Sequence, residues 1–194
     1  VIATLKTGTK PVNSVLFHSS YDLAFTGSDD STIKFWSLSN PSNAIRTLNI
    51  HTGEVTGLSL QPSGDYLVSC SSDKSWAFSD INTGVVLTRK RGDNKYTSLQ
   101  FHPDGLIFAA GVAENGSIKI FDVKSQDLVT SFDKHKASVT DLSFSENGYN
   151  MCSASADGTV KVWDLRKTSD ICTLELGSAV KSVKFDHSGV YLAA

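Results

Sequence analysis

Cysteine is scarce in this 194-residue chain, charge of the two signs nearly cancels, and long apolar runs are missing. Cys70, Cys152 and Cys172 cannot all pair within one chain, and none stands in a Cys-x-x-Cys arrangement. That pattern excludes a disulfide framework and predicts buried free thiols in a reducing compartment. A formal net charge of −2 excludes a nucleic-acid or membrane surface spread over the whole chain. No apolar run approaches the ~20 residues of a membrane-spanning helix, so no membrane partner is expected. No long amphipathic helix pattern is present either. His18, His102 and His187 fall in turn sequences, and His51 and His135 precede strands, so no His-x-x-x-His or Cys/His cluster at ligand spacing exists. The Asp-Gly and Asn-Gly pairs lack an EF-hand loop around them, and neither a metal nor a cofactor is expected.

What is there is a repeat. A strand-closing apolar residue recurs as Phe17, Leu60, Phe101, Phe144 and Phe185, in steps of 43, 41, 43 and 41 residues. A turn sequence follows each one, and a second marker recurs as Trp36, Ser79, Phe121 and Trp163, in steps of 43, 42 and 42. A period of about 40–45 residues with four short strands per unit is the pattern of a propeller blade. The first unit reads as strands 12–17, 23–28, 32–38 and 44–49, and the second as 55–60, 66–71, 75–81 and 85–90. The third reads as 96–101, 106–111, 117–123 and 128–132, and the fourth as 139–144, 151–155, 159–165 and 171–176. A fifth unit opens at Val180 and stops in mid-strand at Ala194. Blade boundaries are expected near 1–50, 51–91, 92–133, 134–177 and 178–194, all in one partial propeller domain. Val1 to Leu5 also read as a strand, and the chain is expected to be a piece of a longer, closed ring that would pack loosely or aggregate by itself.

The fourth unit carries the fullest motif. Ala156-Asp157-Gly158 is a turn with a mechanism, because Asp tolerates unusual backbone angles and Gly supplies positive φ. Around it stand His135, Ser153, Asp157 and Trp163, and Trp163-Asp164 is the dipeptide of the WD repeat. The four resemble the hydrogen-bonded tetrad of that repeat, which implies an all-β, WD-repeat propeller of four-stranded antiparallel blades. Thr26, Asp30 and Trp36 form a partial set in the first unit, with Gly8 in the histidine place. His51, Ser69 and Asp73 form another in the second, with Ser79 in the tryptophan place. The third unit has Gly92, Gly111, Asn115 and Phe121 at these places, and Leu176 stands at the histidine place of the fifth.

A Ser-His-Asp constellation also suits a hydrolase. A catalytic triad, however, is built once and beside an oxyanion hole, whereas these sets recur with the blade period. The reading is structural, and an enzyme within this chain is the disfavoured alternative. Arg89-Lys90-Arg91, near Lys95, is the only dense basic run, read as the end of an outer strand and a solvated loop. With no aromatic residues interleaved, direct nucleic-acid binding is not expected, and the run is a possible protein contact. Trp163-Asp164-Leu165-Arg166 is similar to the box by which some WD-repeat proteins dock to a cullin-ligase adaptor, a second alternative in which Arg166 would be the contact.

The likeness extends beyond single blades. FHPDGLIF at 101–108, FSENGY at 144–149, VKVWDLRK at 160–167 and GDYLVSCSSDKSWAFSDI at 64–81 resemble the pre-mRNA-processing factor nineteen family. Trp76, three positions before the usual tryptophan place, is its most specific mark. The resemblance implies the seven-bladed C-terminal propeller of a nuclear spliceosomal scaffold that is also a U-box ubiquitin ligase. It implies spliceosomal and other proteins and ubiquitylation substrates as partners, with a role in DNA repair besides. It further implies a homotetramer through a coiled coil that this chain does not contain. Catalysis in that family belongs to the U-box, so no residue here is expected to be catalytic.

Overall fold

The structure, a computed structural model, describes residues 4–194, and these contain strands and turns without a helix. Two compact units divide between Tyr96 and Thr97. In the first unit, β1 (Val12–Phe17), β2 (Leu23–Ser28), β3 (Ile33–Ser37) and β4 (Ala44–Leu48) form one antiparallel sheet in chain order. A second such sheet holds β5 (Val55–Leu60), β6 (Tyr66–Ser71), β7 (Ser75–Asp80) and β8 (Val86–Arg91). β9 (Tyr96–Phe101) starts on the last residue of the first unit and joins β10 (Ile107–Val112), β11 (Ile118–Asp122) and β12 (Leu128–Phe132). The fourth sheet is β13 (Val139–Phe144), β14 (Asn150–Ser155), β15 (Thr159–Asp164) and β16 (Ser169–Glu175).

The middle strands of each sheet are buried on both faces, which explains why they read as near-continuous apolar runs rather than as alternating ones. In the first unit Phe25, Ile33, Phe35, Leu48, Val55 and Leu58 fill the space between the two sheets, with Phe25 edge-on to Phe35 at 4.9 Å. In the second, Ile118, Ile120, Phe132, Val139, Leu142 and Trp163 do the same, and Phe132 lies 5.0 Å from the Trp163 ring.

Register irregularities recur with the blade. In the pairing of third and fourth strands, the residues passed over are Ile45, Leu87, Val129 and Ile171. Each is a bulged position on an outer strand, and each holds an apolar side chain 51–60% exposed. A bulge twists an edge strand away from flat pairing, so these exposed apolar residues do not lie on a flat sticky edge.

Several expected boundaries shift. The third strands end by residue 37, 80, 122 and 164, one residue short of expectation, and the next N–H closes the same hairpin onto the residue just before the second strand: Leu38 to Asp22, Ile81 to Asp65, Val123 to Leu106 and Leu165 to Tyr149. β16 starts at Ser169, two residues early, directly after Thr168 turns the chain with φ +50. In place of a long opening strand from Val180, only β17 (Lys184–Phe185) and β18 (Leu192–Ala193) pair. Of the strand expected over the first five residues, 1–3 lie outside the described residues, and Thr4 and Leu5 are irregular.

Candidate functional site

The local chemistry of the site begins in the turn between second and third strands. Asp30, Asp73, Asn115 and Asp157 each accept two bonds from the residue two positions on. These come from its N–H and from its side-chain hydroxyl, at Thr32, Ser75, Ser117 and Thr159. This Asx turn fixes one side-chain oxygen locally and, in the three aspartates, leaves the second to face whatever the fold brings.

In the fourth blade the fold brings a complete set. His135 Nδ1 lies 3.2 Å from Asp157 Oδ2 and 3.1 Å from Thr159 Oγ1. A carboxylate only accepts, so Nδ1 carries the proton and Nε2 accepts from the Ser153 hydroxyl at 2.7 Å. The Trp163 indole N–H donates to that same hydroxyl oxygen at 2.9 Å. Both His135 and Ser153 are buried, Ser153 completely. Burial pushes His135 below its ordinary value against the pull of Asp157. At Asp157 burial acts upward, but the bonds from Thr159 and the Lys136 N–H, with His135, hold the carboxyl far below the usual range.

The partial sets are completed by residues outside the tetrad pattern. In the second blade His51 Nε2 accepts from Ser69 at 2.8 Å, and its Nδ1 faces the Ser75 hydroxyl at 3.0 Å. Asp73 then turns to Arg89, whose guanidinium lies 3.0 Å from Oδ2. Ser79, in the tryptophan place, has a buried hydroxyl without a partner among the described residues. In the first blade Trp36 donates to Thr26 at 2.9 Å. Gly8 leaves room beside Asp30, and the Lys34 amine enters it, 3.6 Å from the carboxylate and bonded to the Thr7 carbonyl. The third blade corrects an expected equivalence. Trp36 pairs with Ala24 and Ile33 with Gly27, while Phe121 pairs with Phe108 and Ile118 with Gly111. Gly111 is therefore the counterpart of Gly27, and Ala110 occupies the serine place, because the third-blade turn is one residue longer. Gly27 and Gly111 face Val55 and Val139, where a Cβ would come within 2.6 and 2.8 Å of a valine methyl.

The expected contact residues are placed as follows. Arg89, Lys90 and Arg91 lie within β8 and not in a loop, since strand pairing runs on to Arg91 opposite Ser75. Arg89 is exposed but paired with Asp73, Lys90 is half-buried and Arg91 is exposed. Arg166 is exposed but clamped, with Nη2 3.2 Å from Asp164 and its guanidinium 4.6 Å above the Tyr149 ring. Cys70 and Cys152 are buried, with thiols pushed up to about 12 by burial, whereas Cys172 is exposed, contrary to expectation, on outer strand β16. Among the described residues no group of three or more His, Cys, Asp and Glu side chains could hold a metal ion.

The residues missed in the sequence are Thr159, Ser75 and Lys34, and Arg89 was expected as a protein contact rather than as a donor to Asp73. The first two had a signal, an Asp-x-Ser/Thr at blade spacing; Lys34 had none beyond its charge.

Repeated four-stranded blades, each turned on an Asx motif and in the fourth cross-braced by buried hydroxyl, imidazole and indole groups, define a WD-repeat β-propeller protein. The family described as nucleolar protein 10-like, N-terminal domain, a β-propeller family, matches residues 2–194. The chain belongs to this propeller family, and its homologues over the full chain are pre-mRNA-processing factor 19 proteins. It is 49% identical to the human protein of that name over 198 residues, all of this chain and 39% of that protein. With the rice protein it shares 42% over 201 residues, all of this chain and 38% of the relative. With the Dictyostelium discoideum protein the figures are 39% over 200 residues, 96% of this chain and 38% of the relative. The chain thus spans a little over a third of the length of these relatives.

Proposed function

We propose that this chain is a non-catalytic interaction platform in pre-mRNA splicing, binding splicing proteins and ubiquitylation substrates in the nucleus. The observation that carries this reading is the sealing of both Ser-His-Asp sets. Ser69 and Ser153 are 1% and 0% exposed, and each hydroxyl is already committed to an imidazole. A nucleophile must reach its substrate, and these do not. What the blades offer instead is a rigid frame with variable loops, which suits recognition. The process comes from the relatives' name, carried over at 39–49% identity along the chain. Ligase chemistry, tetramer formation and a part in DNA repair are assigned on the family resemblance to the whole protein, outside this propeller.

The test is add-back to a splicing extract depleted of its pre-mRNA-processing factor 19. The factor with this chain in place of its matching segment should restore splicing, and the factor with the segment deleted should not. Equal rescue by the deletion would overturn the reading. Chain formation by this segment alone, supplied with ubiquitin, activating enzyme and conjugating enzyme, would overturn its non-catalytic part.

A further inference from the structure

The three tetrad carboxylates are neutralised in different ways, and in the fourth blade the difference leaves cations over. In the first blade Lys34 reaches Asp30 because Gly8 leaves the histidine place empty. In the second, Arg89 of the outer strand reaches Asp73. The matching residues in the fourth blade are Lys161, which pairs across the sheet with Thr173 as Ala77 does with Arg89, and Thr173 itself. Here His135 and the Lys136 N–H take Asp157 Oδ2, and Thr159 takes Oδ1 twice. Asp73 holds the matching bonds from Thr52 and Ser75 and takes Arg89 as well, whereas Thr173 stands in the arginine place beside Asp157.

Lys161 is half-buried and donates to the neutral Thr173 hydroxyl, at 2.8 Å. The Lys136 side chain has no partner among the described residues. Both line an open hollow of about 330 Å³, with Lys134 and Glu175 also on its wall. Lys134 is paired with Asp170, and Glu175 is exposed. The hollow thus gathers the amines of Lys136 and Lys161, with exposed Glu175 and the already bonded Asp157 as the carboxylates on its wall.

We propose that this hollow is a binding site for the phosphoryl group of a phosphorylated serine or threonine in a partner protein, resting on the interaction-platform reading above. A phosphoryl group brings close to two negative charges and three acceptor oxygens, enough for Lys136 and Lys161 together and for the Thr173 hydroxyl. A single carboxylate would serve one ammonium well and leave the other. A nucleic-acid strand fits less well, because the lining offers no aromatic ring for a base and sets Glu175 against a continuous polyanion.

The test is fluorescence anisotropy on the intact protein with a labelled Gly/Ala-flanked phosphoserine peptide. The controls are its unphosphorylated and glutamate forms, inorganic phosphate as competitor, and a labelled oligouridine. The phosphopeptide should bind at least tenfold more tightly than either peptide control. Lys136→Ala with Lys161→Ala should weaken it tenfold or more, whereas Lys161→Arg should keep most of the affinity. Both lysines are on the surface side of the blade, and an unchanged unfolding temperature for the double variant shows the fold intact. Equal binding of the unphosphorylated peptide, an unaffected double variant, tighter binding of oligouridine, or full competition by equimolar inorganic phosphate would each overturn the proposal. None of these outcomes touches the add-back assay, which concerns the whole segment.

Discussion

The hydroxyl of Thr140 donates to the backbone carbonyl of Val180, 2.6 Å away and in the next repeat. Thr140 is the residue passed over where β13 pairs with β14, so the bulge turns its side chain out of its own sheet. The bulged Asn13 and Thr56 do the same, reaching Val55 at 3.1 Å and Tyr96 at 2.9 Å. Thr97 likewise bonds the Val139 carbonyl. The irregularities in β1, β5 and β13 are thereby converted into ties to the following repeat.

Removing such a tie leaves a carbonyl without its donor. Thr56→Val and Thr140→Val should each cost roughly 1–2 kcal/mol, while the corresponding Ser variants, which keep the hydroxyl, should cost less. Denaturant midpoints of the four variants check this. Equal losses for Val and Ser would show that packing of the threonine methyl, not the hydroxyl, is what matters.

Turn histidines supply a second tie. His18 Nε2 donates to the Gly64 carbonyl at 3.0 Å and His102 Nε2 to that of Gly148 at 2.8 Å. Gly64 and Gly148 have φ of +85 and +71, and a Cβ on either would lie within 2.7 Å of the imidazole. Gly148→Ala should therefore destabilise by more than the ordinary ~1 kcal/mol for a left-handed glycine, since a ring must also move. His102→Ala in the same chain should bring the added cost of Gly148→Ala back toward that ordinary figure. A double-mutant cycle in chemical unfolding measures the coupling, and strictly additive losses would count against the contact.

The tryptophan place separates two blades. Trp163→Ala removes a fully buried ring and the donor to Ser153, and should cost about 3–5 kcal/mol. Ser79→Ala, at the same place in the second blade, removes a buried hydroxyl that has no partner. It should be neutral or stabilising, because an unmet polar group carries only its desolvation cost. Calorimetric unfolding temperatures that fall by similar amounts would contradict the assignment.

Acid should weaken the fold in two stages. His51 and His135 are pushed below their ordinary 6.5 by burial, so the unfolded chain binds protons before the folded one does. Their contribution is full above pH ~6.5 and declines as pH falls below it. Asp73 and Asp157, despite the upward pull of burial, are held far below 3.8 by their donors. Their contribution is full above pH ~4 and is lost on further acidification. Unfolding temperature should be flat from pH 8 to 7 and fall below 6.5. His135→Gln should start lower and fall less steeply between pH 6.5 and 5; an unchanged slope would show that His135 does not titrate with folding.

The thiols should divide by exposure. A disulfide exchange reagent should modify Cys172 in the native protein at pH 8 and reach Cys70 and Cys152 only on unfolding. Three fast-reacting thiols in the native state would contradict the burial of the latter two.

The sequence by itself determined the period, the four strands of each repeat and the turn chemistry, because these depend on neighbours a few positions apart. Asp157-Gly158 makes its turn from local geometry, and the apolar runs around Phe25 and Met151 announce strands buried on both faces. It also placed His135, Ser153, Asp157 and Trp163 in one repeat. Tertiary structure alone decided which donor satisfies each carboxylate. Asp30 takes Lys34, Asp73 takes His51 with Arg89, and Asp157 takes His135. The donors on offer differ from repeat to repeat, and the winner depends on which of those present finds room. Gly8 in place of histidine opens that room in the first blade, and Thr173 in place of arginine leaves a hollow in the fourth. Such outcomes are set by steric competition between strands 14 to 24 residues apart, which no local pattern of letters carries.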